Sequence, residues 1–177
     1  MAQLFSKLLI LLGITFLAFF AYLLYLRYSP HPLTFEGKTE VVVPVSGEAP
    51  VRLIIPSIHV DVAIYPALIR NNQWETTGKG VSYLASSPLP GDKGNSVMYG
   101  HNWSSLLGAL PKTKPGQHIT VSWNNGIKKE FEIMYTATVD PQQRYIIDST
   151  NDTRLTIYTC TGFLDSKRFV VVAKPVS

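Results

Sequence analysis

The sequence predicts an all-β domain, a barrel or a sandwich, preceded by one N-terminal transmembrane helix. Three observations carry that expectation. Residues 8–26, LLILLGITFLAFFAYLLYL, hold no charge. From about residue 50 onward the apolar runs are short, rich in β-branched and aromatic residues, and bounded by Pro, Gly, Asn and Asp, as strands are. One of them, Lys129-Glu130-Phe131-Glu132-Ile133-Met134-Tyr135, alternates polar and apolar with the period of a half-buried strand.

The first element is the apolar helix. Nineteen helical residues reach about 28 Å, close to the hydrocarbon thickness of a bilayer. A cleaved signal peptide usually has a shorter apolar core, and no A-x-A-like site follows this one. A buried helix of a soluble domain would keep a polar face, and this segment has none. Residues 1–28 are therefore expected to be a short stub and an uncleaved membrane anchor. Lys7 and Arg27 flank it too evenly for charge to set the orientation. Tyr22, Tyr25 and Tyr28 suit an interfacial aromatic belt. Residues 29–49 mix Pro, Gly, Ser and Val without a helical period and read as a stalk, with an early strand at Val41–Val45.

The globular part then runs over 50–177, long enough to bury one core without metal or disulfide staples. Strands are expected at Val51–Ile55, Val60–Tyr65, Ser96–Tyr99, His118–Trp123, Lys129–Val139, Arg154–Thr159 and Arg168–Ala173. Asn124-Asn125-Gly126 between two of these runs is a hairpin signal. Trp103–Leu110 is expected to form one short helix. Leu110-Pro111-Lys112-Thr113-Lys114 reads as a proline-containing connection between strands. No internal repeat or low-complexity tract is present.

Composition narrows the chemistry. The net charge of +4 is spread along the chain, so no nucleic-acid-binding patch is expected. One cysteine and scattered histidines lack the spacing of a zinc site. Asp61, Glu75, Asp92 and Asp140 are too dispersed to define a calcium site. There is no P-loop and no dinucleotide-binding glycine pattern, and no cofactor is expected.

Cys160 is the sole cysteine and ends an apolar run. A thiol attacks as its thiolate, and a free cysteine is mostly protonated at neutral pH. A catalytic Cys160 therefore needs a histidine or a cation beside it; otherwise it is a small buried hydrophobe. Of the four histidines, His31 lies in the stalk, His59 in a turn and His118 at a strand start. His101 follows Asn95-Ser96-Val97-Met98-Tyr99-Gly100, a buried-looking strand ended by glycine, and is the best positioned of the four. Arg168 opens the final strand, eight residues after Cys160. A turn through Gly162 and Asp165-Ser166 would bring it back to the same sheet edge. There it either hydrogen-bonds a developing oxyanion or faces water.

These residues resemble the sortase family, the cysteine transpeptidases of the bacterial cell surface. Leu155-Thr156-Ile157-Tyr158-Thr159-Cys160 resembles the family's TLxTC signature. Arg52-Leu53-Ile54-Ile55-Pro56-Ser57-Ile58 looks like its opening strand and turn. Gly80-Val81-Ser82-Tyr83, Pro88-Leu89-Pro90-Gly91 and Gly94-Asn95 look like its approach to the histidine strand. Gly100-His101 looks like its catalytic histidine, and Lys167-Arg168-Phe169-Val170 like its catalytic arginine. The resemblance implies an eight-stranded β-barrel with short helices, outside the cytoplasm. It implies secreted protein substrates bearing a C-terminal, LPxTG-like sorting motif. The acceptor would be an amine, on a peptidoglycan precursor or a protein lysine. Cys160 would be the nucleophile, His101 its acid–base partner and Arg168 the oxyanion donor, with Thr159 shaping the substrate groove beside the thiol.

The short Cys160–Arg168 loop, the lack of an Asp-Pro-aromatic lid motif in the stalk and the lack of a second apolar segment at the C-terminus point away from a pilin polymerase. Two other readings compete. An exported L,D-transpeptidase usually carries its histidine close before the cysteine, in a Ser-His-Gly-Cys-like run, whereas Ile157-Tyr158-Thr159 stands here. A surface β-barrel module that binds a peptide without chemistry would leave Cys160 an ordinary thiol.

Overall fold

The computed structural model describes residues 2–28, 33, 35, 48–70 and 73–176. The chain divides into two compact units, Met1–His31 and Pro32–Ser177. The first is a single helix, α1 (Ala2–Tyr28). Within it Phe5–Tyr25 is long and apolar enough to cross a membrane, because its large side chains surround the helix on all sides with no polar face to bury them against. The strand expected at Val41–Val45 lies outside the described residues.

Among the described residues the second unit has ten strands: β1 (Arg52–Ile55), β2 (Val60–Ala67), β3 (Ile69–Arg70), β4 (Gln73–Trp74), β5 (Val81–Leu84), β6 (Gly94–Tyr99), β7 (His118–Ser122), β8 (Lys128–Val139), β9 (Thr153–Thr161) and β10 (Lys167–Pro175). Eight of them close into a barrel in the order β1-β2-β5-β6-β9-β10-β8-β7, while β3 and β4 form a separate two-stranded ribbon. The barrel form of the all-β expectation is therefore the one adopted. Closure leaves no open sheet edge. Two of its pairings, β2–β5 and β6–β9, are parallel. Short 3-10 turns at Pro56–Ile58, Leu110–Lys112, Arg144–Ile146 and Phe163–Asp165 complete it.

Local chemistry explains the turns. Between β1 and β2, Pro56 starts a 3-10 turn that His59 ends in the left-handed conformation. Between β7 and β8, Gly126 takes φ +84 and Asn125 Oδ1 accepts from Ile127 N at 3.1 Å, so the expected Asn-Asn-Gly hairpin forms. The helix expected at Trp103–Leu110 does not form. The segment is a chain of turns, with Leu106 N and Gly108 N both donating to Trp103 O at 2.9 Å. Gly108 is pressed against that backbone: a Cβ there would lie 2.7 Å from the carbonyls of Asn102 and Trp103. Pro111 then removes a donor that a helix would need.

The wall formed by β6, β9 and β10 carries two cores, one on each face. Met98, Leu155, Ile157, Val171 and Ala173 point into the barrel with Leu53, Ile119 and Phe131. Val97, Tyr99, Tyr158, Cys160, Val170 and Val172 point outward into a second cluster with Trp74 and Ile146. Leu33 and Phe35 belong to that second cluster and are buried. Phe35 packs edge-on to Tyr158 at 5.0 Å, and the Tyr158 hydroxyl donates to Leu33 O at 2.8 Å. Part of the expected stalk is thus packed against the domain, two residues along the strand from Cys160 on the same face.

Candidate active site

The site is assembled by strand register. In the parallel β6–β9 pair each residue faces the one 59 positions later in the chain, from Gly94 with Thr153 to Tyr99 with Tyr158. Beyond the ladder, Gly100 N donates to Tyr158 O at 3.3 Å, and the Thr159 hydroxyl donates to Gly100 O at 2.7 Å. Extended two residues past the ladder, the same offset would bring His101 level with Cys160. On the other side of β9, Cys160 is the direct cross-strand partner of Arg168 in the antiparallel β9–β10 ladder. Cys160 and Arg168 are thus cross-strand neighbours, and His101 follows the end of the strand on the other side of β9.

Each is buried: Cys160 is 4%, Arg168 6% and His101 8% exposed. Burial pushes the Cys160 thiol up to about 11, against the pull of the Arg168 guanidinium, while the nearby Asp165 carboxylate adds to the rise. Burial holds the His101 imidazole below its ordinary range, opposed by Asp165. Both groups therefore rest neutral at pH 7, the thiol protonated and the imidazole not. His101 also stacks on Trp103, with ring centroids 4.5 Å apart and planes 11° from parallel. An aromatic face in that position favours a proton on the imidazole, as it favours any cation.

The β9–β10 connection completes the site. Arg168 Nη1 donates to Asp165 O at 2.9 Å and to Lys167 O at 3.0 Å. Asn102, next to His101, donates from Nδ2 to Asp165 Oδ1 at 2.7 Å. Lys167 turns away, its Nζ 2.7 Å from Asp140 Oδ1.

The other sequence candidates fall elsewhere. Thr159 has no exposed surface. Its side chain is a strut between β9 and Gly100. His59 caps the β1–β2 turn and His118 opens β7, both exposed; His31 lies outside the described residues. The four carboxylates considered for calcium are held singly. Asp61 is doubly bonded by Arg52 at 2.7 Å. Asp92 sits 3.6 Å from Lys129 and Asp140 pairs with Lys167. Glu75 accepts from Leu68 N. Among the described residues no three potential ligands gather. Sequence reasoning missed Asn102, Trp103 and Asp165. All three lie in loops, where no periodicity marks a side chain, and the one available signal was closeness in sequence to His101 and Arg168.

A sortase-domain family model matches residues 53–176. Sortase A of Listeria monocytogenes is 29% identical over 126 residues, covering 69% of this chain and 54% of that protein. The chain thus spans about half the length of that relative. The barrel superposes on the crystal structure of sortase C-1 from Actinomyces oris with a TM-score of 0.63 at 28% identity, over 72% of this chain and 73% of that one. It superposes on the Listeria monocytogenes sortase A structure with a TM-score of 0.59 at 26% identity, over 72% and 86%.

Proposed function

The chain belongs to the sortase family, and on that premise we propose that it is a membrane-anchored cysteine transpeptidase acting on secreted proteins that carry an LPxTG-like C-terminal sorting motif. The observation that supports this reading is the direct cross-strand pairing of Cys160 with Arg168, beside the β6 strand that leads into His101. In this reading Cys160 is the nucleophile, His101 the acid–base group and Arg168 the fixed cation.

Proton transfer from the Cys160 thiol to His101 gives a thiolate–imidazolium pair. The thiolate attacks the carbonyl carbon of the motif's threonine. Arg168 donates hydrogen bonds to the resulting oxyanion, in a site from which water is largely excluded. Collapse of the tetrahedral adduct breaks the peptide bond, and His101 gives its proton to the departing amine. This leaves a thioester between the substrate acyl group and Cys160, and neutral His101. An incoming amine, from a peptidoglycan precursor or a protein lysine, loses a proton to His101 as it attacks the thioester. Expulsion of the thiolate yields the amide product. With α1 in the membrane and the barrel outside the cytoplasm, residues 1–28 anchor the enzyme, 29–49 link it and 50–177 catalyse. Anchoring raises the effective concentration of membrane-tethered reactants.

The test is to incubate the full chain in detergent with a labelled sorting-motif peptide and a small amine. The amide product is expected, and Cys160→Ala is expected to abolish it. Product that persists in Cys160→Ala removes Cys160 as nucleophile. A wild-type chain that binds the peptide and makes no product supports a binding module instead.

A further inference from the structure

Asp165 touches both halves of the site without being any of its three candidate catalytic groups. Its carboxylate accepts from Asn102, the residue after His101. Its backbone carbonyl accepts from Arg168. One residue therefore bridges the segment carrying the histidine and the strand carrying the arginine. Its backbone is held for the purpose. Leu164 (φ 49, ψ 39) and Asp165 (φ 59) are consecutive left-handed residues after Gly162 (φ 80). Non-glycine residues keep that conformation only where their surroundings over-determine it, and they gather at functional sites. Aspartate tolerates it better than most.

We propose that Asp165 is a positioning residue of this site: its carboxylate, held by Asn102, and its carbonyl, held by Arg168, keep the segment of His101 and the strand of Arg168 in one frame at Cys160. That placement leaves a carboxylate charge acting on His101. The charged and titratable groups facing the pair are few. Arg168 faces Cys160 from β10 and Tyr158 neighbours it on β9. Lys167 is engaged by Asp140. Asp165 is the one carboxylate that acts on both His101 and Cys160, and it favours the proton on each. A protonated His101 is what the leaving amine requires in the mechanism above. The kinetic part of this inference rests on the transpeptidase reading; the electrostatic part does not.

The sign of the effect is fixed. Removing the Asp165 charge makes both groups easier to deprotonate, so both titrations move to lower pH. The test follows iodoacetamide alkylation of Cys160 in the full chain across pH, for wild type, Asp165→Asn and Asn102→Ala. It also measures peptide turnover for each. Wild-type reactivity rises in two steps, the lower set by His101 and the upper by the thiol. Asp165→Asn is expected to move the lower step to lower pH. Asn102→Ala keeps the charge, leaves that step in place and slows turnover roughly tenfold, the effect of losing one charge-assisted hydrogen bond. Asp165→Ser is the second neutral variant, should Asp165→Asn lose its fold. A lower step that stays at the wild-type pH in the neutral variants overturns the proposal. A wild-type chain that alkylates as described but turns over no sorting peptide overturns the transpeptidase reading, while the alkylation result still decides Asp165.

Discussion

Cys160 and Arg168 are eight residues apart in the chain and directly opposed across the antiparallel β9–β10 pair. A tight connection returns the guanidinium to the thiol, and two backbone carbonyls of that connection hold its Nη1. The side chain is therefore oriented before any substrate arrives. Lysine supplies a charge but not the planar fork of donors. Arg168→Lys is expected to lower kcat by roughly 10²–10³-fold, the usual cost of one oxyanion donor. KM should change little, because the interaction forms in the transition state. A raised KM with kcat unchanged would assign Arg168 to substrate binding instead.

The pH profile follows from burial acting on two groups of opposite charge type. Burial disfavours the imidazolium of His101, so the acid limb of kcat/KM lies below the ordinary histidine range. Burial disfavours the thiolate of Cys160, so the alkaline limb lies at about 11. Between the limbs one proton is shared by the pair, and its distribution between sulfur and imidazole does not change with pH. Activity is expected to stay flat from near-neutral pH to well above pH 9. A profile that climbs with the titration of an ordinary thiol, near ~8.5, would contradict the buried arrangement.

Thr159 ties β9 to the residue before His101 through a fully buried hydroxyl. Thr159→Val keeps the shape and removes the donor, leaving the Gly100 carbonyl without that bond. The cost is expected to be about 1–3 kcal/mol of stability, read by denaturant unfolding. Turnover should fall further than stability alone predicts, because the strut sets where His101 begins. Thr159→Ser keeps the hydroxyl and is expected to restore most of both. A Val variant with wild-type turnover would show that the β6–β9 ladder alone places the histidine.

Seven of the eight barrel strands were legible as short apolar runs between turn residues. The exception is β5, Val81–Leu84, where all four residues are buried. It is only four residues long, and its parallel partner β2 lies across an intervening ribbon. The ribbon itself, β3 and β4, has strands of two residues, too short for any period. Trp103–Leu110 failed as a helix for a related reason. Its apolar residues suited a helix, but Gly108 is committed to close packing against the carbonyls of Asn102 and Trp103. Leu33 and Phe35 stand among prolines and glycines that read as a stalk, and only the Tyr158 face tells them apart from one.

The sequence by itself determined the chemistry on offer. A single thiol ends an apolar strand, a turn of glycine, aspartate and serine returns the chain, and an arginine opens the next strand. That geometry is local, and local chain stiffness and turn chemistry encode it. What only the tertiary structure decided is that the strand leading to His101 runs beside the strand carrying Cys160. Parallel strands cannot be joined by a tight turn, so the β6–β9 pairing spans 59 residues and leaves no periodic trace in the chain. Its register comes from the packing of Met98 and Ile157 on one face and of Tyr99 and Tyr158 on the other. A one-residue slip would exchange those faces and carry the histidine away from the thiol.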